Sequence, residues 1–68
     1  MSKLPRLTAR DAEAVLLKAG FILLRSKGSH RIYIKKTVRV VLPFHVGTVL
    51  HPKIIKQVLQ AVEETTIQ

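Results

Sequence analysis

The chain has 68 residues and no cysteine, which predicts one domain with a thin core and excludes a disulfide framework or a thiolate zinc site. Its hydrophobic fraction of 47% is too high for a disordered chain, and no apolar run approaches the roughly 20 residues of a membrane-spanning helix. The net charge of +8 is concentrated between residues 14 and 62, a stretch with nine Lys or Arg and no carboxylate.

The first predicted element is a helix from Thr8 to Ala19. Thr8, followed three residues later by Asp11, has the form of a capping box, and Gly20 supplies a C-terminal stop. The residues that recur at helical spacing and form its apolar stripe are Ala12, Val15, Leu16 and Ala19.

Three short runs rich in branched and aromatic residues follow, and they predict an antiparallel meander. The runs are Phe21–Ser26, His30–Ile34 and Val38–Leu42. A register that pairs Ile32 with Leu42 would gather the apolar side chains of the last two runs on one face, which the helices would cover. The residues that this register leaves on the opposite face, which stays open to solvent, are Arg31, Tyr33, Lys35 and Arg39.

A loop from Phe44 to Leu50 is predicted next, and Pro52 then opens a second helix whose apolar residues recur at helical spacing. The predicted fold class is therefore α+β in the order α-β-β-β-α. A three-stranded antiparallel sheet would carry both helices on one face, as in the double-stranded-RNA-binding-like fold. We expect a single domain over residues 1–68 and, because no apolar signal-peptide region is found, a cytoplasmic location without membrane contact.

The basic stretch between residues 14 and 62 indicates a polyanionic partner. Lys and Arg attract phosphates, and binding that releases counterions depends steeply on salt. A nucleic acid and an acidic protein both fit this charge, and so does a surface that is basic only for solubility. Solubility does not require the exclusion of every carboxylate, so the pattern favours a polyanion.

Histidine is the residue type on which catalysis by this chain would depend. There is no cysteine, and the four carboxylates lie near the chain ends, so neither a Cys-His nucleophile nor a two-metal nuclease site can be built. We expect no metal and no cofactor. RNA can be cleaved without a metal if one group removes the 2′-hydroxyl proton and another protonates the leaving oxygen, and histidine suits both roles.

His30 is the best-placed general base in the sequence. It follows two small turn residues, which would let a sugar-phosphate backbone approach closely. In the predicted register it lies on the helix-facing side at the end of the sheet, so a purely structural histidine is an equal alternative. The expected RNA contacts are the turn residues, the flanking cations and one aromatic residue: Arg25, Lys27, Gly28, Ser29, Arg31, Tyr33 and Lys35.

Four residues, two of them among these expected contacts, each have a functional and a structural interpretation. His45, which the predicted register sets across from Ser29, is either a secondary acid-base group or a loop residue that bonds to backbone. His51 precedes a proline and is more simply a helix-start residue. Ser29 would orient phosphate or His30, although turn serines commonly bond their own backbone. Tyr33 would stack on a splayed base or only cover the sheet.

Three blocks of sequence, LKAGF at Leu17–Phe21, GSHRIY at Gly28–Tyr33 and LPFHVG at Leu42–Gly47, occur together in the chain. In this order and spacing they resemble the HicA, or YcfA-like, toxin family. The resemblance implies the toxin of a type II toxin-antitoxin pair, a metal-independent mRNA interferase whose catalytic histidine is His30. It also implies a partner, a HicB-type antitoxin that covers the active site. The chain departs from the family pattern at Pro52, which is followed by Lys where members often have Gly.

Two other classes of function stay open on the sequence alone. A non-catalytic module would bind double-stranded or structured RNA by shape and phosphate contacts, which makes His30 dispensable. A protein-interaction module would use the basic patch only for an acidic partner. RNA binding with a salt slope near zero would favour that last class.

Overall fold

The computed structural model describes residues 5–66, and the five predicted elements follow in the expected order. They are helix α1 (Ala9–Lys18), strands β1 (Ile22–Lys27), β2 (His30–Lys35) and β3 (Val38–Pro43), and helix α2 (Pro52–Thr66). The strands form one antiparallel sheet in the order β1-β2-β3. The α+β class and the α-β-β-β-α order of the double-stranded-RNA-binding-like fold are therefore confirmed.

Helix α1 begins and ends at the predicted signals. The Thr8 side chain accepts a hydrogen bond from the Asp11 N–H at 3.1 Å, and the Asp11 carboxylate accepts one from the Thr8 N–H at 3.1 Å. This reciprocal pair is a capping box. Gly20 has φ +100, and the N–H groups of Gly20 and Phe21 donate to carbonyls of the last helical turn, as in a Schellman motif.

The hydrophobic core lies between the two helices and one face of the sheet. Both helices bury one stripe, and β2 and β3 supply the opposing layer. Within residues 5–66, neither helix has the length and apolar character that crossing a membrane requires. The buried apolar residues of these elements are Ala9, Ala12, Leu16, Tyr33, Val40, Leu42, Ile55, Val58 and Ala61.

The register between β2 and β3 differs by one residue from the prediction, which was wrong here. Ile32 pairs with Val41 instead of Leu42, and Tyr33 pairs with Val40. The turn fixes this register, because only two residues connect the last pair of the hairpin. The predicted pairing would need a three-residue connection. A shift by one residue moves every side chain of β2 to the other face of the sheet.

The side chains of β2 therefore face opposite to the prediction. Tyr33 is 0% exposed beneath the helices, with Arg31 and Lys35 half-buried on the same side, whereas His30 is exposed on the other side. These two charged residues are tolerated against the helices because the charged group of each side chain has a hydrogen-bond partner. Arg31 donates to Glu13 at 2.9 Å, and Lys35 Nζ donates to a carbonyl oxygen at the C-terminal end of α1 at 2.5 Å.

The side of the sheet away from the helices, here called the open face, is apolar at its centre and basic at its rim. Ile22 and Val41 are 62% and 43% exposed, and half-buried Ile32 and Ile34 lie between them. This apolar centre replaces the basic surface that the sequence predicted. The basic and titratable residues of the open face are Arg25, Lys27, His30 and Arg39.

Strand β1 is an edge strand that is exposed along its whole length. Its pairing with β2 shifts between Leu23 and Arg25, so that the residue between them forms a β-bulge. A bulge and charged side chains both discourage a free edge from pairing with another strand. Arg25 and Lys27 supply that charge here.

Candidate active site

His30 is the first residue of β2 and directly follows the two-residue turn Gly28–Ser29. Lys27, the last residue of β1, pairs with His30 across this turn. Gly28 has φ +59, the conformation that glycine supplies at the first position of a type II′ turn. A Cβ built on Gly28 would meet no atom within 4 Å. The turn thus presents an exposed imidazole beside a lysine, with open space for an approaching backbone.

The start of the loop after β3 is attached to the same turn. His30 pairs with Pro43, and the Phe44 N–H donates to the Ser29 carbonyl at 2.6 Å. Phe44 therefore lies opposite Ser29, where the predicted register placed His45. The difference is the same one-residue shift between β2 and β3. His45 follows directly and is exposed. Two exposed histidines thus lie on segments joined by one backbone hydrogen bond.

Among residues 5–66, three cations share the open face with His30. Arg25 and Lys27, which the sequence predicted as RNA contacts, are exposed and pair with Ile32 and His30 of β2. Arg39 pairs with Ile34 and is exposed on the same face. It was predicted on the open face but not as an RNA contact. The four predicted contacts that lie together around His30 are Arg25, Lys27, Gly28 and Ser29.

Arg31, Tyr33 and Lys35 were also predicted on the open face, and that placement was wrong. All three lie on the helix side of the sheet. The ring of Tyr33 is fully buried, so it offers no exposed face on which a base could stack. Lys35 is bound to the carbonyl of Ala19. The error came from the predicted register. That register was chosen because it buried the two isoleucines of β2.

A hydrogen-bonded network that the sequence analysis missed joins these residues to α1. Glu13 Oε2 accepts from Arg31 Nη1 at 2.9 Å and from the Tyr33 hydroxyl at 2.5 Å. The Arg31 guanidinium carbon lies 3.9 Å from the centroid of the Phe44 ring, which is a cation-π contact. One carboxylate on a helix is thereby connected to the strand that begins with His30 and to the loop that contains His45.

Glu13 carried a signal that could have revealed this network. It lies four residues after Ala9 and three before Leu16, both buried on the core side of α1. Residues at these spacings share one face of a helix. A carboxylate beside the core stripe, in a chain with so few acids, needs basic partners on the sheet. That requirement would have favoured the correct face of β2.

The third histidine, His51, has a structural role at the start of α2. Its Nδ1 accepts a hydrogen bond from the Lys53 N–H at 3.0 Å, and its carbonyl accepts from Ile54 and Ile55. These contacts confirm the helix-start interpretation. Nowhere in residues 5–66 do three or more His, Cys, Asp or Glu side chains lie together in an arrangement that could hold a metal ion.

A sequence model described as the HicA toxin of bacterial toxin-antitoxin systems matches residues 9–63. The match spans α1, the whole sheet, the loop and most of α2. The chain belongs to the HicA toxin family. The same comparisons found no match among curated proteins or solved structures. The HicA resemblance of the three sequence blocks is confirmed, and this HicA-family chain is the toxin of a toxin-antitoxin system.

The hydrogen-bonded network of Glu13, Arg31 and Tyr33 in this HicA-family toxin can be tested at alkaline pH through Tyr33. Burial, and next the hydrogen bond to Glu13, raises the pKa of Tyr33 from 10.0 to about 12. Between these values the unfolded chain has lost the phenol proton and the folded chain keeps it, so stability should fall as pH rises. Two pKa units correspond to at most about 3 kcal/mol.

The measurement uses absorbance of tyrosinate, which reports Tyr33 alone because the chain has one Tyr and no Trp. We expect a titration midpoint near 12 in the folded protein and near 10 in denaturing urea. Urea unfolding across this range should show a steeper loss of stability for the wild type than for Tyr33→Phe, which controls for the lysines. A folded-state midpoint near 10 would contradict the buried network.

Proposed function

We propose that this HicA-family protein is a metal-independent ribonuclease that cleaves mRNA, with His30 as its general base. The observation that carries the proposal is the exposed imidazole of His30 at an open glycine turn, beside Lys27 on the same face. A base of this kind needs access to the RNA backbone and a cation that attracts phosphate. The family match adds support, since a ribonuclease toxin is what membership of the HicA family implies.

The proposed reaction uses a nucleophile that the RNA itself supplies. His30 accepts the proton of a 2′-hydroxyl, and the 2′-oxygen forms a bond to the adjacent phosphorus. The bond from phosphorus to the 5′-oxygen of the next nucleotide breaks, and that oxygen takes up a proton. The products are a 2′,3′-cyclic phosphate and a 5′-hydroxyl. Arg25 and Lys27 would hold the phosphates and offset the negative charge that develops.

The group that protonates the leaving oxygen is a separate part of the proposal, and His45 is the candidate. Its loop starts at Phe44, whose N–H donates to Ser29 in the turn next to His30. Histidine acts as an acid as readily as a base near neutral pH. A paired acid and base would give a bell-shaped dependence of cleavage on pH. Loss of only the alkaline limb in His45→Ala would support this role.

The proposed function is tested by inducing the wild type and His30→Ala in cells. Growth and the integrity of a reporter mRNA are followed together. Arrest with loss of the message in the wild type alone would support an RNA-cleaving toxin centred on His30. If both chains arrest growth and leave the message intact, the non-catalytic RNA-binding alternative is the better account.

We also propose that a HicB-type antitoxin covers the open face and thereby His30. The apolar centre there includes Ile22 and Val41, which are exposed, and exposed apolar patches commonly mark protein contacts. The cationic rim suits an acidic partner.

Ile22→Asp should weaken neutralisation of the toxin by the co-expressed antitoxin, because it places a carboxylate in the contact. Leu17→Asp, at an exposed apolar site on α1 away from the open face, is the matched control; equal effects would contradict this surface.

A further inference from the structure

We infer that Arg31 is a positioning residue that holds the His45 loop against the His30 turn, and is not an RNA contact. The inference rests on the proposed function for its catalytic consequence only. Its basis is a continuous chain of contacts from Glu13 on α1, through Arg31 on β2, to Phe44 at the start of the loop. Neither Glu13 nor Phe44 was a candidate residue in the sequence.

The first step is that Glu13 fixes the direction of Arg31. Glu13 is anchored on α1 between buried residues, and its Oε2 accepts hydrogen bonds from both Arg31 and the buried Tyr33 hydroxyl. Hydrogen bonding to Tyr33 and Glu13 raises the pKa of Arg31 above its ordinary value. The guanidinium is charged at any working pH, and it is paired with Glu13 on the helix side of the sheet.

The second step is that Arg31 fixes the Phe44 ring. The guanidinium carbon lies 3.9 Å from the ring centroid, so the cation covers one face of the ring. The Phe44 N–H donates to Ser29, and the far end of the loop is held by the Leu50 N–H, which donates to Leu7. Phe44 directly precedes His45, so a Phe44 ring held by Arg31 restrains the stretch of loop that carries His45.

The third step concerns the face of the sheet. His30, Arg25 and Lys27 lie on the open face, and Arg31 lies on the other side with its side chain 35% exposed. A phosphate seated beside His30 would approach from the open face. To reach it, Arg31 would have to leave Glu13 and uncover Phe44. The geometry favours an indirect action through the loop.

The experiment compares Arg31→Met, Glu13→Gln and the double variant with the wild type, each as the full chain. For both single variants we expect kcat to fall by roughly 10- to 100-fold, because small misplacements of catalytic groups cost rate. KM and the salt slope of RNA binding should stay unchanged. The double variant should be no slower than the slower single variant, since both remove one contact chain.

Lys56→Met is the matched control, because it removes an exposed cation from α2 and should leave kcat unchanged. Arg31→Lys keeps the charge with a milder change, in case Arg31→Met does not fold. A salt slope lower by about 0.7 in Arg31→Met with unchanged cleavage by Glu13→Gln would overturn the inference, because one phosphate contact accounts for that loss.

Hydrogen exchange of the Phe44 amide gives a readout that does not need RNA. We expect exchange about tenfold faster in Arg31→Met and in Glu13→Gln, with the core amide of Val40 unchanged. Unchanged exchange at Phe44 in both variants would overturn the inference. If the wild type cleaves no RNA, the proposed function fails, and the exchange of this amide alone decides whether Arg31 positions the loop.

Discussion

Replacing His30 by alanine is expected to lower the rate of RNA cleavage by about 10²- to 10⁴-fold, the contribution of a general acid-base group. RNA affinity should stay close to that of the wild type, because the cations of the open face are untouched. The measurement uses the purified protein, with cleavage of a labelled RNA and equilibrium binding followed at one salt concentration. A loss of cleavage without a loss of binding separates chemistry from recognition.

His51→Asn is the matched histidine control for this experiment. Asparagine is a favourable N-cap residue, so α2 keeps its first turn and the fold is preserved. We expect cleavage by this variant to equal that of the wild type. Unchanged cleavage by His30→Ala would remove His30 from the mechanism, even if the protein remained toxic in cells.

Reversing the charge of Arg25 and Lys27 together is expected to weaken RNA binding by roughly 10- to 100-fold at moderate salt. Both cations lie on the open face with His30. For single-stranded RNA each lost phosphate contact lowers the salt slope by about 0.7, so two contacts should lower it by about 1.4. The measurement is the RNA affinity of wild type and variant over a series of salt concentrations.

Lys53→Glu with Lys56→Glu is the control for this reversal. It changes the net charge by the same amount at two exposed positions of α2. A general attraction between opposite charges would make both double variants bind equally weakly. A specific contact with the open face would weaken binding only in the Arg25 and Lys27 variant. Equal losses would therefore contradict an RNA site around His30.

The order of the elements could be predicted because each boundary depends on neighbouring residues. Thr8 and Asp11 cap α1, Gly20 stops it in a left-handed conformation, and a proline opens α2. These signals act over three or four residues and do not depend on the rest of the fold. The helix and strand types followed from apolar spacing for the same reason.

The faces of β2 could not be read in the same way. The two isoleucines of β2 suggested its buried side, but Tyr33 is the buried residue. A charged strand face can be covered when a helix supplies the opposite charge, as Glu13 does for Arg31. That pairing depends on packing between distant segments. His30 and its turn could still be identified as the candidate site, because turn chemistry is local.

Strand β1 contributes no buried side chain to the core, and its residues are exposed on both faces of the sheet. Substitutions at exposed positions usually change stability by no more than about 0.5 kcal/mol. The strand nevertheless carries Arg25 and Lys27 on the surface proposed to meet RNA and antitoxin. Substitutions in β1 can therefore change which RNA or antitoxin the proposed surface binds, while the helices, β2 and β3 preserve the fold.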